Sequence, residues 1–179
     1  MRFSPPFSTK LSKANCDAAM SVPNLRSQDW EHRLHVLWAW RKWRFVSTGD
    51  RDEGATYRAV LDGCAVTLRA LCGIIGVKCH FKNKRLSNEQ NRTRELLNCC
   101  TTGKALMLAL SQENQRCLLE ALYLGNRAVA HPDDGALDHK VGPDEMTVAI
   151  NTVLGWLAKR RRQWPALAAV PEEFLEPIK

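Results

Sequence analysis

Three side chains suited to acting on a phosphate ester, Asn126, Arg127 and His131, fall within six consecutive residues. The spacing of apolar residues predicts a helix over residues 114–131, and residues four apart on a helix share one face, so we expect Arg127 and His131 to lie within reach of each other. Pro132 ends this helix, because the residue before a proline is pushed out of the helical region. An acidic, glycine-containing loop follows, which places His131 where a substrate can reach it.

These groups suit RNA cleavage without a metal ion. A neutral imidazole at His131 can take a proton from a ribose 2′-hydroxyl, and the Arg127 guanidinium can hold the phosphate as negative charge gathers in the transition state. Asn126 would bind a phosphate oxygen or fix the imidazole tautomer. The structural alternative is that His131 interacts with the helix dipole and the last carbonyls, while Arg127 pairs with Glu120 or Asp134.

Basic residues are concentrated in two runs. The formal net charge of +7 and the isoelectric point near 9.2 favour polyanionic partners. Both runs suit a phosphate backbone, and the alternative is a solvated loop and a cationic last helical turn. The predicted nucleic-acid-binding residues are Lys78, Lys82, Lys84, Arg85, Arg92 and Arg94 in the first run, and Lys159, Arg160, Arg161 and Arg162 in the second.

The seven cysteines form no Cys-x-x-Cys pair, a pattern typical of a reducing compartment. Structural zinc sites usually bring their ligands in closely spaced pairs, so we predict no metal and no cofactor. Cys64, Cys72 and Cys117 are interpreted as small core residues. No apolar run approaches the ~20 residues of a membrane span, and the N-terminus lacks the apolar segment of a secretory signal. A cytoplasmic protein without a membrane partner is therefore expected.

Composition divides the chain into three regions. Residues 1–26 lack periodicity and are predicted to be a flexible extension, in which Met20 competes with Met1 as the start of translation. Residues 27–164 are predicted to form a helical bundle domain. Residues 165–179 contain three prolines and are predicted to be an irregular tail that drapes over the bundle.

Tryptophans dominate the first predicted helix. Their spacing is that of a buried helix face, which favours a core or a dimer seam over a platform for stacking bases. The predicted stripe comprises Trp30, Leu34, Leu37, Trp38, Arg41 and Phe45, with Trp40 and Trp43 beside it.

Four further helices are predicted from apolar periodicity and end signals. Gly73 and Gly76 end the second helix, and the basic segment 77–86 connects it to a third, which opens with a capping box at Ser87 and Gln90. The fourth begins at Ser111, with Leu110 as a hydrophobic staple. The last has Pro143 at its first position. The predicted stripes are Tyr57, Val60, Leu61, Cys64, Leu68, Leu71, Cys72 and Ile75; then Leu96, Leu97 and Cys100; then Leu118, Ala121, Leu122, Gly125 and Val129; and then Met146, Ala149, Ile150, Val153 and Leu157.

No segment alternates apolar and β-branched residues for long enough to compete as a strand. The predicted fold class is therefore all-α, an up-down helical bundle of about five helices with an irregular N-terminal arm and C-terminal tail.

The segment Asn126-Arg127-Ala128-Val129-Ala130-His131 resembles the HEPN superfamily, α-helical bundles that include many toxin and antiviral ribonucleases. The family hallmark is an arginine, a polar residue, a short spacer and a histidine, and the order of the long helices extends the resemblance over about residues 30–160. The resemblance implies that His131 is the general acid or base, Arg127 the phosphate clamp and Asn126 their polar partner. It also implies RNA as a partner, a homodimer whose two motifs meet across a shared cleft, and a protein antitoxin or regulator.

Three hypotheses follow for function. The first is a HEPN-like, metal-independent endoribonuclease acting as a toxin or in antiviral defence. Only three residues separate Arg127 from His131, fewer than is usual in that family, so a non-catalytic HEPN-like adaptor that binds protein or nucleic acid is the alternative. The third is a small structural or regulatory domain whose partner docks on the helix that carries Trp30 to Trp43.

Overall fold

Four long helices and one short β-hairpin make up most of the residues that the structure describes. The computed structural model describes residues 26–44, 51–80, 85–88, 107–130 and 141–179. The elements are α1 (Ser27–Trp43), α2 (Arg51–Ile75), β1 (Val77–His80), β2 (Arg85–Asn88), α3 (Gln112–Ala130), α4 (Pro143–Arg160) and the single turn α5 (Pro165–Ala168), with 3₁₀ turns at Arg161–Gln163 and Glu172–Leu175. The predicted all-α helical bundle is confirmed. Within the described ranges, no helix is both long and apolar enough to cross a membrane.

Helices α1 and α2 pack antiparallel. Cys64 donates a hydrogen bond from its thiol to the carbonyl of Val36 at 3.4 Å, and Trp40 lies 5.6 Å from Tyr57 between ring centroids, so ascending positions on α1 meet descending positions on α2. The predicted stripe of α2 is buried from Leu61 to Ile75, as its period of three and four residues requires. Helix α2 also packs on α3 and α4 and so lies at the centre of the core.

The tryptophan pattern of α1 is only partly as predicted. Trp30 and Trp40 are fully buried, but Trp38 is 43% exposed, so the prediction that Trp38 belongs to the buried stripe was wrong. Trp40 is instead a core residue, and its indole nitrogen donates a hydrogen bond to Thr147 at 3.0 Å. Trp38 lies at the edge, where its ring meets Phe174 of the C-terminal segment at 6.2 Å. Phe45 lies outside the described residues.

A β-hairpin follows α2, where the sequence predicts a connecting segment and then the start of a helix. Gly76 ends α2 with φ of 87°, a conformation that glycine adopts without steric cost. The strands then pair antiparallel, with Cys79 opposite Leu86 and Lys78 opposite Ser87. Because Ser87 lies in a strand, the capping box predicted there was wrong. The third predicted helix, with Leu96, Leu97 and Cys100, lies outside the described residues, and so do residues 1–25.

Helices α3 and α4 begin as predicted. The hydroxyl of Ser111 accepts a hydrogen bond from the backbone N–H of Asn114 at 3.1 Å, which satisfies a donor that the first turn leaves unpaired. Pro143 is the first residue of α4, where its missing N–H costs nothing. The apolar stripes of both helices are buried wherever the structure describes them, from Leu118 to Gly125 and from Met146 to Leu157.

The C-terminal segment contains more regular structure than predicted, and it completes the core. Leu167, Val170, Phe174, Leu175 and Ile178 are all buried. Polar side chains from the bundle satisfy its backbone: Arg41 donates to the carbonyls of Glu173 and Glu176, and Asn151 both donates to and accepts from the backbone of Ile178. The segment therefore belongs to the packed bundle.

Replacing Arg161 should loosen this segment. Its guanidinium donates to the carbonyls of Ala168 at 3.2 Å and Val170 at 2.9 Å and forms an ion pair with Glu172 at 3.2 Å. Arg161→Ala should therefore lower the free energy of unfolding in urea by about 1–3 kcal/mol, since the charged donor to the carbonyl of the buried Val170 is lost. The neighbouring Arg162 is exposed, so Arg162→Ala is the control and should change stability little. Equal effects of the two substitutions would contradict this role for Arg161.

Candidate functional site

Helix α3 positions two of the three candidate catalytic residues. It runs unbroken through Asn126 and Arg127 and is last assigned at Ala130, the residue before His131. The predicted helix is confirmed as far as Ala130, and its predicted end at His131 lies outside the described residues. Asn126 is half-buried at the surface of the bundle.

Gly125 fixes the position of this helix end against α2. A Cβ atom built on Gly125 would lie 2.4 Å from the carbonyl oxygen of Ala65 and 2.6 Å from its carbonyl carbon. The two backbones can therefore approach this closely only because residue 125 lacks a side chain. The contact lies one residue before Asn126, so it holds the start of the candidate site against α2.

The meeting of the guanidinium and the imidazole remains a prediction. The structure describes the backbone of Arg127 within α3, whereas its side chain and the whole of His131 lie outside the described residues. The alternative pairing of Arg127 with Asp134 falls in the same region. What the structure supplies is the helical spacing of α3 up to Ala130.

The first basic run is organised by the hairpin. Val77 and Cys79 are buried, whereas Lys78 and Arg85 are exposed, as the alternation of side chains along a strand requires. Four other members of the predicted run lie outside the described residues: Lys82, Lys84, Arg92 and Arg94. Each strand has only four residues, which is too few for an alternating pattern to predict it.

The second basic run serves two purposes. Lys159 and Arg162 are exposed and remain candidates for contact with a polyanion. Arg161 binds the C-terminal segment as described above. Arg160 donates to the side chain of Gln163 at 2.7 Å, and its guanidinium carbon lies 5.4 Å from the centre of the Trp156 ring. Two of the four arginine and lysine side chains predicted to bind nucleic acid therefore interact with other residues of the chain instead. These interactions depend on how the C-terminal segment packs.

The described cysteines are buried thiols with little nucleophilic character. Burial raises the pKa of Cys64 and Cys72 to about 12 and, together with the negative charge of Glu120, raises the pKa of Cys79 to about 11. Thiols are reactive as thiolates, so these side chains are predominantly protonated near neutral pH. Across the described ranges, no three histidine, cysteine or acidic side chains gather in a way that would hold a metal ion.

Similarity to other proteins does not assign this site. No protein-family model matches the chain, and neither the curated proteins nor the solved structures contain a match. Function therefore has to be inferred from the side chains of the chain itself.

Proposed function

We propose that the protein is a metal-independent endoribonuclease of the HEPN-like type, and that His131, Arg127 and Asn126 form its active site. The observation that carries the proposal is the course of α3 in an all-α bundle, a helix that includes Asn126 and Arg127 and is described as far as Ala130, the residue before His131. A helical spacing of four residues brings a cation and an imidazole to one face, where one phosphodiester can contact both.

The proposed reaction is an internal transesterification. The imidazole of His131 accepts the proton of a ribose 2′-hydroxyl, and the 2′-oxygen attacks the adjacent phosphorus. The bond from phosphorus to the 5′-oxygen breaks, and that oxygen takes a proton as it leaves. The products are a 2′,3′-cyclic phosphate and a 5′-hydroxyl end. The Arg127 guanidinium binds the phosphate oxygens as their charge grows.

A homodimer would supply the second proton-transfer group. In that arrangement two copies of the site face one cleft, so one His131 acts as base while the other protonates the leaving oxygen. The net charge of +7 favours RNA entry into such a cleft, because a cationic surface raises the local concentration of a polyanion. A protein antitoxin or regulator would act by covering this cleft.

Intact chain should cut single-stranded RNA in the presence of EDTA and leave 2′,3′-cyclic phosphate ends. The same oligonucleotide with 2′-O-methyl groups should stay intact, because it lacks the hydroxyl that attacks phosphorus. Gel electrophoresis with mass spectrometry of the fragments measures both results. Cleavage of the methylated strand, or cleavage only when a divalent metal is added, would contradict the proposed reaction.

A non-catalytic adaptor is the second candidate, and one observation favours it. Trp38 is 43% exposed beside Phe174, and such a half-exposed indole is characteristic of protein contact surfaces. In this case, the chain would leave RNA uncut in the same assay. Its binding to a partner would depend little on ionic strength, whereas contacts to phosphates weaken steeply as salt is added.

A further inference from the structure

Residues 159–163, which we call the basic turn, lie where α4 passes into a 3₁₀ turn. Lys159 and Arg162 are exposed, and within the described ranges neither side chain forms a hydrogen bond or an ion pair. Residues three apart lie on the same side of an α-helical or a 3₁₀ turn. The basic turn therefore presents two cations side by side to solvent.

The two arginines between these cations have different partners. Arg161 forms an ion pair with Glu172 at 3.2 Å, so that pair adds no net charge. Arg160 donates to the neutral side chain of Gln163 at 2.7 Å and stacks on Trp156, with its guanidinium carbon 5.4 Å from the ring centre. These partners hold the guanidinium in place without neutralising it. Its positive charge therefore adds to that of the exposed pair.

Trp164 fixes the basic turn to the core. It is 4% exposed, and its ring centroid lies 5.7 Å from that of Trp30 and 5.7 Å from that of Trp156. The backbone N–H of Trp164 also donates to the carbonyl of Arg161 at 3.4 Å. A ligand that binds the basic turn therefore meets a backbone that is already ordered, which reduces the entropy lost on binding.

Acidic residues are scarce around this turn. No aspartate or glutamate occurs between Glu145 and Glu172. Trp30 brings the start of α1 to the same end of the bundle. That part of α1 has equal numbers of acidic and basic side chains, namely Asp29, Glu31, Arg26 and Arg33. Among the described residues at this end, positive charge therefore exceeds negative charge by the three cations of the basic turn.

We propose that the basic turn binds the phosphate backbone of a nucleic acid through Lys159 and Arg162. Exposed cations that lie side by side can each contact a phosphate and release its counterions. Such contacts recognise the backbone and are independent of base sequence. The basic turn is thus a binding surface in addition to the candidate active site, and that its ligand is RNA rests on the proposed function.

A membrane surface fits this end of the protein less well. Proteins that bind at a membrane interface insert aromatic and aliphatic side chains beside their cations. Trp156 and Trp164, the tryptophans beside the basic turn, are 9% and 4% exposed and pack on each other inside the bundle. Cations without large apolar neighbours at the surface favour a nucleic acid.

The test compares two pairs of substitutions of equal charge in the full chain. Lys159→Gln with Arg162→Gln removes the exposed cations of the basic turn, and Lys42→Gln with Lys179→Gln removes two exposed cations elsewhere. The control pair lies near the C-terminal end of α1, where Arg41 binds the C-terminal segment, whereas the basic turn lies near the start of that helix. The probe is a fluorescent 2′-O-methyl RNA strand, which resists the proposed cleavage while anisotropy is measured across a range of salt concentrations.

We expect the substitutions in the basic turn to reduce the slope of log K against log salt by about 1.4, the value for two lost phosphate contacts on a single strand, and the control pair to leave it near that of the wild type. Equal changes in both pairs, or no RNA binding by the wild type, would overturn the proposal. Binding to phosphatidylserine vesicles that requires the two cations, with RNA binding unaffected by their loss, would overturn it in favour of a membrane surface.

A cleavage assay separates this proposal from the proposed nuclease. Unchanged RNA binding by the basic-turn variant, together with normal cleavage by the wild type, would reject the basic turn and leave the nuclease standing. Salt-dependent binding that needs Lys159 and Arg162, in a chain that never cuts RNA, would support the basic turn and reject the nuclease.

Discussion

Replacing His131 with alanine should reduce RNA cleavage in EDTA by about 10²- to 10⁴-fold, the usual range for loss of a general acid or base. The imidazole is the only group of the proposed trio that can both accept and release a proton near neutral pH. Arg127 and Asn126 bind and orient the phosphate, so neither replaces this proton transfer. The rate constant should be measured with RNA in excess, so that weakened binding is separated from slowed chemistry.

His32→Ala is the matched control for this experiment. His32 is an exposed histidine of α1, so its loss removes an imidazole without opening the core. The control should cut RNA at the wild-type rate. A His131 variant that cleaves as fast as this control would end the enzymatic proposal, provided that circular dichroism shows both variants folded.

Replacing Gly125 with alanine should lower the free energy of unfolding by about 1–3 kcal/mol, because overpacking a close contact forces the backbone to shift. The new Cβ would meet the carbonyl of Ala65 at 2.4 Å, and a carbonyl in the middle of α2 has no free end that can swing away. Urea unfolding followed by circular dichroism measures the loss. RNA cleavage should fall as well, because Asn126 and Arg127 move with this part of α3.

Gly155 provides a control of identical chemistry. It lies within α4, and a Cβ built there meets no atom within 4 Å. Gly155→Ala should therefore stabilise the protein by up to about 1 kcal/mol, through the higher helix propensity of alanine. If Gly125→Ala behaved like this control, the close packing of α2 and α3 would not be what positions the candidate site.

The spacing of apolar residues correctly predicted the helix faces that pack into the core. The stripe from Leu61 to Ile75 and the stripe from Met146 to Leu157 are buried as predicted, because each helix presents a single apolar face to its neighbours. The helix starts predicted at Ser111 and Pro143 are confirmed, because capping depends on local geometry alone.

The differences arise where distant segments decide the structure. Trp38 follows the apolar spacing of α1, but its neighbour is Phe174, more than a hundred residues later in the chain. The hairpin at Val77 has too few residues for a strand pattern, and tertiary packing of Val77 and Cys79 stabilises it. The C-terminal prolines indicated irregular chain, yet Arg41, Asn151 and Arg161 satisfy the carbonyls there.

The candidate site was predicted from side-chain chemistry, and the structure adds the helix packing next to Asn126. The sequence named Asn126, Arg127 and His131 and placed them at a helix end. The sequence did not predict that Gly125 packs against Ala65, since this contact depends on how the two helices pack. Nor did it separate Arg161, which binds the C-terminal segment, from the exposed Lys159 and Arg162 in the same basic run.

The central claim is that Arg127 and His131 act together on one phosphate. A double-mutant cycle of Arg127→Gln and His131→Ala tests it most directly, with kcat/KM for RNA cleavage measured in EDTA. Groups that act as a unit are strongly non-additive, so the double variant should be about as slow as His131→Ala alone. If the two losses instead multiply, or if neither substitution slows cleavage, the paired site is contradicted.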